Sequence, residues 1–155
     1  MARKQRIDSI TAHIDVMQAA LTELSPPEHI PLTEKDEPFW RSIIAEKPKV
    51  EWTAHDLEFA ALLAMSLRKL RDEEKTLDEE GAIVTTTGGN VAANPRLRIV
   101  ADLHSRSMKY RQSLGIHNRG KNGEHRDAVK RRDQAFGVEA DNPLADDLLA
   151  RPTVQ

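Results

Sequence analysis

The sequence predicts a mainly α-helical protein. Hydrophobic residues make up 39% of its 155 residues, but only six are aromatic, so the core must consist largely of aliphatic side chains. Apolar residues recur at spacings of three and four over long stretches, as in amphipathic helices. Prolines and glycines mark the ends of these stretches. We expect helix-turn-helix-like N-terminal helices (1–52), a long helical hairpin with a small β-tipped connection (53–117) and a disordered C-terminal tail (118–155).

Two helices are predicted in the N-terminal region. The first runs from Asp8 to Leu24 and ends at Ser25-Pro26-Pro27. The second runs from Thr33, its expected N-cap, to Ala45, and Pro48 follows it. The apolar residues that indicate these helices are Ile7, Ile10, Ile14, Met17 and Leu21 in the first and Phe39, Trp40, Ile43 and Ile44 in the second.

The first arm of the hairpin is the longest predicted helix. No glycine or proline occurs between Thr53, its expected cap, and Gly81, which suits a left-handed C-cap. A helix over 53–80 would be about 42 Å long at 1.5 Å per residue. Its first half is apolar on nearly all sides, which is more apolar surface than one small domain needs. We therefore expect a partner helix and a partner subunit.

The connection and the second arm follow directly. Residues 82–87 are rich in β-branched side chains, and Gly88-Gly89-Asn90 indicates a turn before residues 91–93, so we expect a β-hairpin or an extended loop. Asn94-Pro95 predicts an N-cap and the first position of a helix that ends near Leu114-Gly115. Its apolar side is expected to comprise Leu97, Ile99, Val100, Ala101, Leu103, Met108, Tyr110 and Leu114.

The tail has few apolar anchors. We expect residues 118–155 to be mostly disordered when free, with a helical patch around Glu124 to Phe136. Leu144, Leu148 and Leu149 form a short amphipathic acidic patch. The patch suits a docking peptide, and a plain disordered tail is the alternative.

Charge is unevenly distributed along the chain. The net charge is −2, but residues 51–95 carry four basic and nine acidic side chains, whereas residues 96–134 carry eleven basic and four acidic ones. This asymmetry favours anionic partners such as nucleic acid, and it also fits charge pairing inside an oligomer.

The sequence offers no convincing catalytic, metal or cofactor site. There is no cysteine, which excludes disulfides, thiolate zinc sites and cysteine nucleophiles. Gly88-Gly89-Asn90 lacks the lysine of a P-loop, and the six histidines do not have metal-ligand spacing on one helix. No apolar run approaches 18 residues, and residues 1–11 lack the apolar segment of a signal peptide. We therefore expect a soluble cytoplasmic protein.

Nucleic-acid binding is the best supported chemistry. The N-terminal helices before the hairpin would suit a helix-turn-helix-like unit, and a basic run in the tail could contact phosphates without reading sequence. An ordinary solvated surface is the alternative for all of these cations. The candidates are Arg3, Lys4, Arg6, Lys35, Arg41, Lys47 and Lys49, with Lys130, Arg131 and Arg132 in the tail.

The order of motifs in the hairpin resembles the small terminase subunit of tailed double-stranded DNA bacteriophages. A long helix ends in Glu80-Gly81, followed by Ile83-Val84-Thr85-Thr86, Gly89-Asn90, Asn94-Pro95 and a helix closing on Leu114-Gly115-Ile116. The resemblance covers residues 53–117 closely. The family usually continues with serine-proline and arginine, where this chain has His117-Asn118 and Arg119.

The resemblance implies a non-catalytic DNA-packaging protein of the host bacterial cytoplasm. Such subunits form homo-oligomeric rings, here expected to hold about nine copies. They recognise double-stranded viral DNA at the packaging site and deliver it to the large terminase subunit, the ATPase and nuclease. Residues 144–149 would dock that subunit, and Gly81, Gly89, Asn94 and Pro95 would shape the connection. The residues expected to pack the hairpin and the ring are Leu57, Leu63, Leu67, Leu70, Val100, Leu103 and Met108.

Three other functions remain open at this point. The first is a helix-turn-helix transcription regulator that dimerises through the helical hairpin, and the second is a helical adaptor without DNA affinity. The third is a small enzyme, for which the sequence indicates no residues. The number of copies in the assembly distinguishes the regulator from a ring-forming terminase subunit, because such regulators are mostly two-fold dimers on palindromic half-sites. DNA binding that weakens as salt rises would exclude the adaptor, which has no affinity for DNA.

Overall fold

A computed structural model describes residues 10–85, 88–116 and 125–142, and over these ranges the protein is mainly α-helical, as predicted. The elements are α1 (Ile10–Ala20), α2 (Glu37–Ile44), a 3₁₀ helix (Lys49–Glu51), α3 (Ala54–Glu80), β1 (Ile83–Thr85), β2 (Val91–Ala93), α4 (Arg96–Ser113) and α5 (His125–Ala140). No helix in the described ranges is both long and apolar enough to cross a membrane.

The chain divides into two compact units. The first contains Met1–Ser25, Ile44–Thr53 and Lys121–Gln155, and the second contains Pro26–Ile43 and Ala54–Gly120. Helices α1 and α2 therefore begin in different units. The helix-turn-helix-like arrangement of the N-terminal helices stays a prediction.

The second unit is built around the α3–α4 hairpin. The two helices run antiparallel, because Arg96 at the start of α4 contacts the end of α3 and Phe59 near the start of α3 lies 6.0 Å from Tyr110 near the end of α4. Small side chains dominate the buried face of α3, which allows the helices to approach closely. The buried apolar residues of the hairpin are Ala60, Ala61, Leu63, Ala64, Leu70, Leu103 and Leu114.

The β-tipped connection is confirmed. Gly81 follows α3 with φ +83° and donates its N–H to Leu77 at 2.8 Å, which gives the expected left-handed cap. Strands β1 and β2 pair antiparallel, with Ile83 opposite Ala93 and Thr85 opposite Val91.

Both ends of α4 also follow their local sequence signals. The Asn94 side-chain oxygen accepts the Arg96 N–H at 3.0 Å, so Asn94 caps the helix as expected. Gly115 has φ +64°, and the Gly115 and Ile116 N–H groups donate to the carbonyls of Gln112 and Arg111 at 3.0 and 3.1 Å. This pair of hydrogen bonds is a Schellman motif.

Three details differ from the expectations for the helices. Helix α1 ends at Ala20, not at Leu24, because the N–H groups of Leu21 and Thr22 donate to carbonyls three residues earlier, as in a turn. Helix α2 begins at Glu37, not at Thr33, because Asp36 takes the capping position and its carbonyl accepts the N–H groups of Phe39 and Trp40. The apolar side of α4 is narrower than predicted, because Leu97, Ile99 and Ala101 are exposed.

The first unit joins α1, the 3₁₀ helix and α5. Val16 of α1 and Ala135 of α5 are buried, and Asn142 donates to the Met17 carbonyl at 3.0 Å. The predicted helical patch in the tail is thus confirmed and extends to Ala140. The rest of the expected tail, residues 118–124 and 143–155, lies outside the described residues, and so does the leucine patch at 144–149.

Candidate nucleic-acid interface

The cations most available to DNA phosphates are those that no acidic group of the protein already holds. Arg68 of α3 is a cation that acidic groups of the protein already hold. Its guanidinium donates to Asp36 at 2.7 Å and to Asp72 at 2.7 Å. The first contact fastens the chain before α2 to α3, so Arg68 serves the fold.

The carboxylate of Asp36 is almost fully buried, at 1% exposure. Burial raises the pKa of this carboxyl, but hydrogen bonds from the Thr33 hydroxyl and N–H, together with the Arg68 guanidinium, hold the pKa below its ordinary value. Asp36 therefore stays charged and organises the turn that precedes α2.

Arg96 fastens the two ends of the hairpin. It donates to Glu73 at 2.6 Å and to Glu80 at 2.9 Å, and Asn94 donates to Glu80 at 3.0 Å. These hydrogen bonds from Arg96 and Asn94 lower the pKa of Glu80, and the same ion pairs raise the pKa of Arg96. Several hydrogen bonds therefore join the two ends of the hairpin at the connection, and Arg96 is already paired with acidic groups.

Three of the predicted DNA-binding cations have contacts within the first unit. Lys47 is buried with its ammonium 5.0 Å from the centre of the Trp52 ring. Lys49 donates from its ammonium to the carbonyl of Ala20, the last residue of α1, at 2.7 Å and to that of Thr22 at 3.0 Å. Arg132 of α5 pairs with Glu51 at 2.8 Å. These contacts stabilise the unit, and a role in DNA binding for these side chains stays a prediction.

The remaining predicted cations are more accessible. Lys35 and Lys130 are exposed, Arg131 is half-exposed, and Arg41 forms a solvent-exposed pair with Glu37 at 3.0 Å. Arg3, Lys4 and Arg6 lie outside the described residues.

The structure also shows exposed cations on α4 that were not among the candidates. Arg98, Lys109 and Arg111 are exposed and have no acidic partner within residues 10–85, 88–116 and 125–142. Their signal in the sequence was the basic excess of residues 96–134. The sequence alone did not show which of these cations face solvent, because that depends on which side of α4 is buried.

The residues expected to pack the hairpin and the ring separate into two groups. Leu63, Leu70 and Leu103 are buried within one chain and belong to the hairpin core. The four half-buried residues, for which a contact with another copy stays a prediction, are Leu57, Leu67, Val100 and Met108.

An apolar surface that the candidate list missed lies on the β-hairpin. Ile83 and Val91 are 67% and 72% exposed. Because Ile83 pairs with Ala93 and Thr85 pairs with Val91, these four side chains share one face of the two-stranded ribbon, and all four are exposed. We call this surface the ribbon face.

Histidine and carboxylate side chains meet at one place in the second unit. Glu58 of α3 lies 3.5 Å from His29 and 3.4 Å from His55, on the protein surface. Among the described residues, no group of three or more histidine, aspartate or glutamate side chains is arranged to hold a metal ion.

Two comparisons with known proteins bear on the family of this chain. The model of the Hendrixvirinae small terminase family matches residues 1–155. The curated terminase small subunit of Enterobacteria phage HK97 is 37% identical over 140 residues, which cover 84% of this chain and 83% of that protein. On both grounds, the chain belongs to the Hendrixvirinae small terminase family.

Proposed function

We propose that this chain is the non-catalytic DNA-recognition subunit of a phage genome-packaging machine. Copies of the chain, about nine, assemble into a ring, bind double-stranded viral DNA at the packaging site and deliver it to the large terminase subunit in the host bacterial cytoplasm. The observation that carries this proposal is the match to the small terminase family across residues 1–155.

The ribbon face supports assembly. Exposed isoleucine and valine on a short ribbon form an apolar surface of the kind that marks protein contacts. The ribbon also has unpaired strand edges, which favour pairing with another chain. A head-to-tail contact of this kind closes into a ring when the rotation between copies is a whole fraction of a turn.

The distribution of charge supports DNA binding. Ion pairs hold Arg68, Arg96 and Arg132, whereas Lys35, Lys130 and three side chains of α4 are exposed without an acidic partner in the described ranges. Exposed cations without an acidic partner can replace the counterions of DNA phosphates.

Native mass and DNA affinity together test the proposal. Light scattering behind size exclusion should give one species of about nine 17.4 kDa copies, on the order of 160 kDa. Fluorescence anisotropy with a duplex that carries the packaging site should show tight binding that weakens steeply as salt rises. A stable dimer on a palindromic site would instead support a transcription regulator, and a protein without salt-dependent affinity would be an adaptor.

Delivery to the large subunit needs its own measurement. The chain and the large terminase subunit of the same phage, mixed with packaging-site DNA, should co-elute as a complex. Independent elution of the two proteins at micromolar concentration would contradict this part of the proposal.

A further inference from the structure

We infer that the outer face of α4 is a phosphate-contacting surface for duplex DNA. This inference rests on the proposed function and adds to it the surface that does the binding. The surface consists of Arg98, Ser105, Lys109 and Gln112, and we call it the α4 stripe.

The spacing of these residues places them on one side of the helix. They lie at positions i, i+7, i+11 and i+14, which fall within about 60° of one another at 100° per residue. The buried residues Leu103, Ser107 and Leu114 lie on the opposite side. All four side chains of the stripe are exposed.

The cations of the stripe are available to a ligand. Within the described ranges, neither Arg98 nor Lys109 has an acidic partner. The acidic residue of α4 is Asp102, and Arg106 holds it at 2.8 Å in an exposed i,i+4 pair. The outer side of α4 therefore carries an excess of positive charge.

The composition and length of the stripe suit phosphate contacts. Arginine, lysine, serine and glutamine are among the donors that proteins use to bind phosphate oxygens. From Arg98 to Gln112 the stripe is about 21 Å long at 1.5 Å per residue, close to six base-pair steps of 3.4 Å. Such contacts fix the position of DNA and add affinity without reading its sequence.

A second protein copy fits the stripe less well than DNA does. The cores of protein interfaces are depleted in charged residues and enriched in large apolar ones. The exposed large apolar residues of α4, Leu97 and Ile99, lie beside the stripe and not in it. The ribbon face, also outside the stripe, is the more apolar surface of this unit.

A pair of matched double variants tests the stripe. R98Q/K109Q removes one arginine and one lysine from the stripe, whereas K69Q/R71Q removes the same two charges from exposed positions of α3. Binding of each full-length variant to one packaging-site duplex is measured by anisotropy across a salt series. Native mass and helical circular dichroism are recorded for both variants.

The stripe predicts a specific change in salt dependence. Loss of two phosphate contacts should reduce the slope of log K against log salt by about 1.8, and weaken binding at least about tenfold at 0.1 M salt. The α3 control should keep the slope of the unmodified protein.

Four results would overturn the inference. An unchanged slope in R98Q/K109Q would show that DNA contacts other residues, while salt-dependent binding by the unmodified protein would leave the proposed function intact. An equal loss in both variants would show a response to net charge alone. A changed native mass with an unchanged slope would show that the stripe contacts another copy of the chain. If the unmodified protein bound no DNA, the proposed function would fail together with the inference.

Discussion

The buried carboxylate of Asp36 bonds both to a neighbour in the sequence and to a residue far along the chain. Its carbonyl starts α2, while its side chain accepts hydrogen bonds from Thr33 and pairs with Arg68, 32 residues away. The sequence indicated a helix start near this position, but it did not show that Arg68 faces Asp36. Removing one partner of such a pair leaves the charge of the other partner uncompensated, and this destabilises the fold.

Replacing Asp36 with asparagine should therefore destabilise the second unit. We expect D36N to lower the free energy of unfolding by about 2–3 kcal/mol at pH 7, because the buried Arg68 contact and the charged hydrogen bonds from Thr33 are lost together. Urea denaturation at fixed protein concentration measures this change. The control D72N removes an exposed partner of the same arginine and should cost less than about 1 kcal/mol.

The difference between D36N and the unmodified protein should depend on pH. The pKa of Asp36 is lower in the folded state than its ordinary value of 3.8, so its stabilising effect is complete above that value and is lost as pH falls further. Protonated aspartate resembles asparagine. The two proteins should therefore converge in stability below about pH 4, and a constant difference from pH 7 to pH 3 would contradict this account.

The hairpin elements were predictable because each has a local signal. Gly81 ends α3, Gly89 allows the turn, Asn94 caps α4 and Gly115 closes it, all within a few residues of the element they define. The first unit was not predictable in this way. Lys49 bonds to Glu139 and Asn142 bonds to Met17 across 90 and 125 residues, and short polar contacts between distant segments leave no periodic pattern.

The contrast between local signals and long-range contacts also explains why the sequence predicted only part of the candidate site. The basic excess of residues 96–134 is visible in the sequence, where the run Lys130-Arg131-Arg132 is its densest part and the predicted contact with phosphates. Whether a cation is available depends on tertiary partners, such as Glu51 for Arg132. It also depends on the orientation of α4, whose buried side contains Leu103 and Ser107.

At the scale of an element, Gly81 offers a direct test of the connection. Its φ of +83° is unfavourable for a residue with a Cβ, so G81A should destabilise the protein by about 1–2 kcal/mol. G88A is the matched control, since Gly88 has no positive φ and a Cβ there would meet no atom within 4 Å. Thermal unfolding at one protein concentration compares the two variants. Equal melting temperatures would show that Gly81 does not need its left-handed conformation.

At the scale of the whole molecule, the basic side chains divide by role. Those in ion pairs with Asp36, Glu80 and Glu51 hold segments together, whereas Arg98, Lys109 and Arg111 of α4 are exposed without an acidic partner in the described ranges. The apolar side chains divide in the same way, between the hairpin core and the ribbon face. On the proposed function, a chain of 155 residues would have separate surfaces for its own fold, for other copies and for DNA.

The ribbon face should be needed for assembly. Lysine at both apolar positions, I83K/V91K, would place unpaired charges in the contact between copies, so the native mass should fall from the ring to a single chain while helical circular dichroism is retained. I10K/L21K introduces the same charges at two other apolar positions, 81% and 52% exposed on the first unit, and should leave the ring intact. Light scattering gives the mass of each variant. A complete ring of I83K/V91K would place the contact elsewhere on the hairpin, and dissociation of both variants would show that added positive charge, not the ribbon face, controls assembly.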